Sequence, residues 1–144
     1  MARELARLAW NEEVAPGHHL LAVDAPEVAA AARPGQFVHV RVGPSYDPLL
    51  RRPLSILRAD TAGRQIWLLM KVVGRGTELL AGMPPGATLD LLGPLGRSFP
   101  EPPPEEGALL LAGGVGVAPL VFWADRIQTA HSHVRVVSVY GAAT

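Results

Sequence analysis

Two short stretches in the first half of the chain carry residue types that could do chemistry. The first is Leu50-Arg51-Arg52-Pro53-Leu54-Ser55-Ile56, two adjacent arginines ahead of a rigid proline and a strand. A guanidinium donates to phosphate through a planar fork of N–H groups. Ser55 adds a hydroxyl shortly after. The same residues also read as a solvated arginine pair before an edge strand. The second stretch is Val73-Gly74-Arg75-Gly76-Thr77-Glu78-Leu79-Leu80. Here a strand ends in Gly-x-Gly, and Thr77 stands where a helix N-cap is expected. Free backbone N–H groups and the helix dipole at such a place suit a phosphate. A capped strand-to-helix turn with no ligand accounts for it equally well.

A third stretch, Gly113-Gly114-Val115-Gly116-Val117-Ala118-Pro119, follows a strand and opens a helix. Its spacing approaches a dinucleotide-binding turn, but Pro119 occupies the place of the third glycine. Tyr140-Gly141 ends the next strand, so the usual ribose-binding carboxylate is missing. His18-His19 and His131-x-His133 are the close histidine pairs. Neither has a carboxylate or third histidine at ligand spacing, so they read as solvated residues and no metal site is expected. Glu101, Glu105 and Glu106 read as a solvated acidic linker. Ser98 and Phe99 suit either a turn or the wall of a nicotinamide pocket. Trp10, Trp67 and Trp123 are expected in cores.

These stretches need elements to position them. Phe37–Val42 alternates with period two, as a half-buried strand does. Further strands are expected at Glu4–Val14, His19–Asp24, Leu54–Arg58, Gln65–Val73 and Thr88–Leu92. Turn chemistry separates them at Pro16-Gly17, Pro34-Gly35, Asp60-Thr61-Ala62-Gly63 and Pro84-Pro85-Gly86. One short helix, Thr77 to about Gly82, is expected to interrupt them. Regular short strands with such turns indicate a closed antiparallel β-barrel or a sandwich. Residues 100–107, Pro-Glu-Pro-Pro-Pro-Glu-Glu-Gly, can neither pair in a sheet nor continue a helix, and read as a stiff linker. Beyond them the pattern changes class. Ala108–Ala112 is a continuous apolar run, Val117 to about Thr129 suits a helix, and Val134–Tyr140 is a second apolar strand. That is one βαβ unit, which cannot bury its own faces alone. It reads as the opening of a longer α/β domain, so the chain is expected to be incomplete at this end.

Composition narrows the classes further. The chain has 144 residues, enough for one ordinary domain, and 49% of them are hydrophobic. Thirteen basic residues balance thirteen acidic ones, which argues against a sequence-independent nucleic-acid binder. There is no cysteine, so disulfides, thiolate zinc sites, Cys-ligated iron–sulfur clusters and cysteine nucleophiles are excluded from this chain. Met1–Trp10 lacks the apolar core of a signal peptide. The uncharged run Ala108–Ala124 is broken by glycines and Pro119, so no membrane span is expected and the expected compartment is the cytoplasm.

Taken together and in this order, the three stretches resemble the ferredoxin–NADP reductase superfamily, a flavin-binding barrel followed by a nicotinamide-binding α/β domain. Within it they are most similar to the electron-transfer subunit of the heteromeric dihydroorotate dehydrogenase. The matching segments are 34–38, 47–56, 72–77, 92–96 and 113–119, spread over nearly the whole chain. The resemblance implies a Greek-key barrel of about six strands over 1–99 that binds FAD, and an incomplete NAD-binding α/β domain over 108–144. It implies that Arg52 meets the FAD pyrophosphate, that Pro53, Leu54 and Ser55 lie along the flavin ring, and that Leu69, Met70 and Lys71 line it mostly through backbone. Gly76 and Thr77 would hold phosphate. Gly113, Gly114, Gly116 and Pro119 would face the nicotinamide nucleotide. Many relatives carry a flavin-stacking aromatic where Leu54 stands. The implied function is electron transfer between NAD and a catalytic dehydrogenase subunit that oxidises dihydroorotate to orotate, in pyrimidine biosynthesis. With only part of the nicotinamide domain present, the 144 residues alone are expected to be inactive with NADH. The [2Fe–2S] centre of that subunit has no cysteine ligands here. The alternatives are a related flavin reductase subunit, of sulfide dehydrogenase or glutamate synthase type, and a flavin-free β-barrel interaction module.

Overall fold

The computed structural model describes residues 2–43, 47–101 and 107–142. Six strands form a closed barrel: β1 (Ala2–Ala15), β2 (His18–Asp24), β3 (Phe37–Arg41), β4 (Arg52–Asp60), β5 (Gln65–Lys71) and β6 (Thr88–Leu95). Their order around the barrel is β1-β2-β5-β4-β3-β6, with all pairings antiparallel. Strands β3, β4 and β5 pair consecutively and β6 returns beside β3, which is a Greek key. Closure gives every strand two neighbours. The expected antiparallel barrel is the fold observed.

The period-two pattern explains which side chains fill it. In β3, Val38 and Val40 are buried while Phe37, His39 and Arg41 are partly exposed. Ile66, Leu68 and Met70 of β5 point inward in the same way, and Leu89 and Leu91 of β6 join them.

Strand positions match the sequence reading, with ends displaced. β4 begins at Arg52 and not Leu54, β6 runs on to Leu95, and β5 ends at Lys71. One element was not expected. Pro26–Ala31 forms a helix, α1, whose Val28 and Ala29 cap the barrel core. Its signals are proline in the first turn and Glu27 beside it. The second helix, α2, spans Arg75–Ala81. Its N-cap is Gly74, so Thr77 lies one turn further in than expected.

A separate two-stranded parallel sheet follows, β7 (Ala108–Gly113) and β8 (Val136–Gly141), joined by helix α3 (Val117–Ala130). Residues 102–106, most of the expected linker, lie outside the described residues. Phe122 of α3 packs into the barrel's apolar cluster, and Trp123 meets Phe99 at 5.0 Å between ring centroids. The tryptophans are not core residues. Trp10 and Trp67 meet edge to face at 5.4 Å on the barrel's outer side, with the Arg58 guanidinium over Trp67. The wide indole is covered there by its neighbours and not by the barrel interior, already filled by aliphatic side chains. Among the described residues no helix is long and apolar enough to cross a membrane.

Candidate flavin site

The site begins where two strands part. The β4–β5 ladder runs from Asp60↔Gln65 to Ile56↔Leu68 and then stops, although β4 extends back to Arg52 and β5 on to Lys71. Beyond Ile56 and Leu68 each strand keeps only its outer neighbour. Arg52 to Ser55 pair with β3, and Leu69 to Lys71 pair with β2. Backbone groups on the facing edges are therefore left without a ladder partner. Pro53 is tolerated here because a strand free on one side does not need every N–H.

The gap is a cleft of about 350 Å³. Arg52, Pro53, Leu54 and Ser55 form one wall and Leu69, Met70 and Lys71 the other. Val73 and Thr77 close one end, and Val115 reaches in from the turn after β7. The Leu54 and Met70 side chains are turned into the barrel core, so it is their backbones that border the cleft. A second, apolar hollow of about 530 Å³ continues from it, sharing Leu69, Lys71 and Val115 and adding His18 and Gly114. Basic groups (Arg52, Lys71, His18) border the combined trough, and among the described residues no carboxylate does.

The two arginines have separate fates. Arg51 is spent on β6. Its Nη1 donates to the Asp90 carbonyl at 2.7 Å and its Nη2 to Asp90 Oδ2 at 2.8 Å. Arg3 grips the same carboxylate through Nε and Nη2, at 3.1 and 3.0 Å. Burial alone would push the Asp90 carboxyl up, but hydrogen bonds and charge from Arg3 and Arg51 hold it below its ordinary value. Arg52 turns the other way, to the cleft. Its Nη1 donates to the Leu50 carbonyl and its guanidinium lies against Gly76. A Cβ at Gly76 would push the Arg52 guanidinium aside, so glycine leaves it room to lie there.

The α2 turn is self-supporting. Thr77 Oγ1 accepts from the Val73 and Gly74 N–H groups at 2.9 and 3.2 Å and donates to the Gly74 carbonyl at 2.8 Å. That hydroxyl shapes the turn and has nothing left to offer a ligand. Arg75 pairs with Asp47 at 3.1 Å, tying α2 to the segment before the arginines.

The third motif forms the end of β7, a 3₁₀ turn at Gly114–Gly116, and the start of α3. Gly114 has φ +53°, which favours glycine, and side chains at Gly113, Gly114 or Gly116 would meet open space. Pro119 lies in the first turn of α3, where an N–H has no intrahelical acceptor. Of this motif only Val115 reaches the β4–β5 cleft, while Gly114 borders the adjoining hollow. Gly113, Gly116 and Pro119 line neither. His131 pairs with Glu101 at 2.9 Å, and Phe99 braces the Pro34 carbonyl through its N–H at 2.9 Å. Asn11, not singled out by the sequence, and His19, expected to be solvated, connect to α2.

Known proteins resemble this chain in sequence and in fold. The electron-transfer subunit of dihydroorotate dehydrogenase B (NAD(+)) from Desulforamulus reducens is 46% identical over 85% of this chain and 47% of its own length. Its counterpart from Geobacillus kaustophilus is 42% identical over 100% of this chain and 56% of its own. The chain is a homologue of these electron-transfer subunits. It spans about half the length of the curated relatives it matches. Among solved structures, an NADH-dependent reduced ferredoxin–NADP oxidoreductase matches 99% of this chain and 50% of its own, with a TM-score of 0.86 and 29% identity. Phthalate dioxygenase reductase matches in fold, with a TM-score of 0.79 at 18% identity over 99% of this chain and 44% of its own. No family model matches the chain. The chain thus has the barrel fold of the ferredoxin–NADP reductases.

Proposed function

We propose that this chain holds one FAD in the β4–β5 cleft and serves as an electron-transfer subunit. It passes electrons between NAD and a catalytic subunit that oxidises dihydroorotate to orotate. The observation that carries the reading is the convergence of Arg52–Ser55, Leu69–Lys71, Thr77 and Val115 on one cleft that no carboxylate among the described residues lines. That lining fits a flavin dinucleotide. A guanidinium stands at one end for the pyrophosphate, Pro53 and Leu69 offer apolar surface for a ring, and two unpaired strand edges offer N–H and C=O groups for its polar rim. FAD, when bound, takes up two electrons together and releases them singly.

The chain's own residues bind, orient and exclude water. Arg52 neutralises phosphate charge, with Gly76 and the first turn of α2 beside it. Ser55 offers a hydroxyl at the ring's edge, and Leu54, its side chain in the barrel core, borders the ring through its backbone. Residues 1–99 form the flavin domain, 100–107 the linker and 108–144 a nicotinamide-binding α/β unit. Gly113, Gly114, Gly116 and Pro119 face the nucleotide. With no cysteine in the chain, a [2Fe–2S] relay needs ligands from elsewhere.

Titration of the purified chain with FAD, followed by absorbance and fluorescence, tests the proposal. Saturation at one FAD per chain is expected. A well-folded protein that stays colourless refutes the flavin reading and favours an interaction module. Retained flavin with no coupling to a dihydroorotate-oxidising partner favours another reductase complex.

A further inference from the structure

The cleft depends on a helix too short to hold its own position. α2 has 7 residues, and helices below about 12–15 residues are marginal in water without tertiary support. Part of that support is apolar, since Leu80 is fully buried. Another part comes from one amide on β1. Asn11 Nδ2 donates toward the Leu80, Ala81 and Met83 carbonyls, at 3.1, 3.0 and 3.1 Å. Leu80 and Ala81 are the last two residues of α2, and Met83 follows its C-cap Gly82.

The amide is itself locked. Asn11 Oδ1 lies 2.9 Å from His19 Nδ1, and an amide oxygen only accepts, so Nδ1 carries the proton and donates. His19 lies on β2 directly opposite Met70, whose backbone borders the cleft. At its other end α2 presents Gly76 to the Arg52 guanidinium. The sequence of contacts therefore runs from His19 to Asn11, through α2, to the face on which Arg52 rests.

We propose that Asn11, locked by His19, is a positioning residue for Arg52, acting through α2. The inference rests on the flavin reading above. Asn11 lines neither the cleft nor the hollow, so its removal acts on cofactor binding through α2, on which Arg52 rests. That separates it from a residue that merely adds stability.

A double-mutant cycle on the full chain tests this, with FAD affinity as the readout. Asn11→Ala is expected to weaken FAD about tenfold when Arg52 is present, from loss of hydrogen bonds that fix its seat. In an Arg52→Ala background the same change is expected to cost less than about twofold, because no guanidinium remains to be positioned. His19→Leu, which frees the amide without removing it, is expected to cost about threefold with the same dependence on Arg52. It carries the test if Asn11→Ala does not fold by circular dichroism. Equal losses in both backgrounds, or no loss in either, overturn the inference while leaving the flavin reading intact. Failure of the wild-type chain to bind FAD refutes the flavin reading, and this inference with it.

Discussion

Arg51 and Arg52 are adjacent and chemically identical, yet their replacement by alanine is expected to give opposite signatures. Arg52 borders the cleft, and removing a charge-assisted contact to phosphate costs roughly 1.5–3 kcal/mol, about ten- to a hundredfold in FAD affinity. Its replacement leaves no buried group unpaired, so thermal stability of the apo chain should change little. Arg51 has side-chain exposure of 23% and holds an Asp90 carboxylate with exposure of 11%. Arg3 still pairs with that carboxylate after Arg51→Ala, so the loss is partial, at about 1–3 kcal/mol. For a chain of this size that is a fall of roughly 3–12 °C in Tm. Folded Arg51→Ala protein should bind FAD within about threefold of wild type, since Arg51 lines neither hollow. Differential scanning fluorimetry without FAD and fluorescence titration with it separate the two quantities. Comparable affinity losses at both positions would refute the assignment of Arg52 as the phosphate ligand. So would an Arg51→Ala protein with unchanged Tm and lost FAD.

Gly76→Ala should fold normally but displace the Arg52 guanidinium; FAD affinity should fall about as far as in Arg52→Ala, measured by the same titration. The Asp90 carboxyl is held below its ordinary value, so its contribution to stability is present above the unfolded carboxylate range and lost as pH falls through the lowered folded value. Urea unfolding between about pH 2 and 6 should accordingly show a steeper acid limb for wild type than for Asp90→Asn. The purified chain loaded with FAD should show little flavin bleaching on anaerobic stopped-flow mixing with NADH. Its parallel sheet has two strands among the described residues, with Leu109 63% and Leu111 65% exposed on the open face, and rapid bleaching that saturates below millimolar NADH would sink that expectation.

What the sequence could and could not disclose follows from the range of the forces involved. The six barrel strands were legible because turn residues and period-two alternation are local signals, readable within a few positions. Helix α1 escaped because its alanine run, Ala29–Ala32, carries no apolar periodicity, although Pro26 and Glu27 mark a helix start. Thr77 looked like an N-cap because a hydroxyl after Gly-x-Gly usually is one. It instead closes the turn from inside the helix, by bonding back to Val73 and Gly74. Asn11 carried no readable signal at all, since its acceptors lie 69 to 72 residues further along the chain.

The site shows the same division at closer range. Its residues were named from motif resemblance, but the physical reason they form a cleft lies in the register. A barrel of this size is filled by its own side chains and has no room for a ligand inside. Space must come from the wall, and it opens where β4 and β5 stop pairing at Ile56↔Leu68 while both strands continue. Arg51 precedes β4 and bonds to Asp90 of β6, while Arg52, the first residue of β4, borders the gap. One residue inserted between Arg52 and Pro53 would move Arg52 into the place of Arg51 and leave the inserted residue at the cleft. It is therefore register, more than the presence of two guanidinium groups, that the Arg-Pro-Leu-Ser segment must preserve.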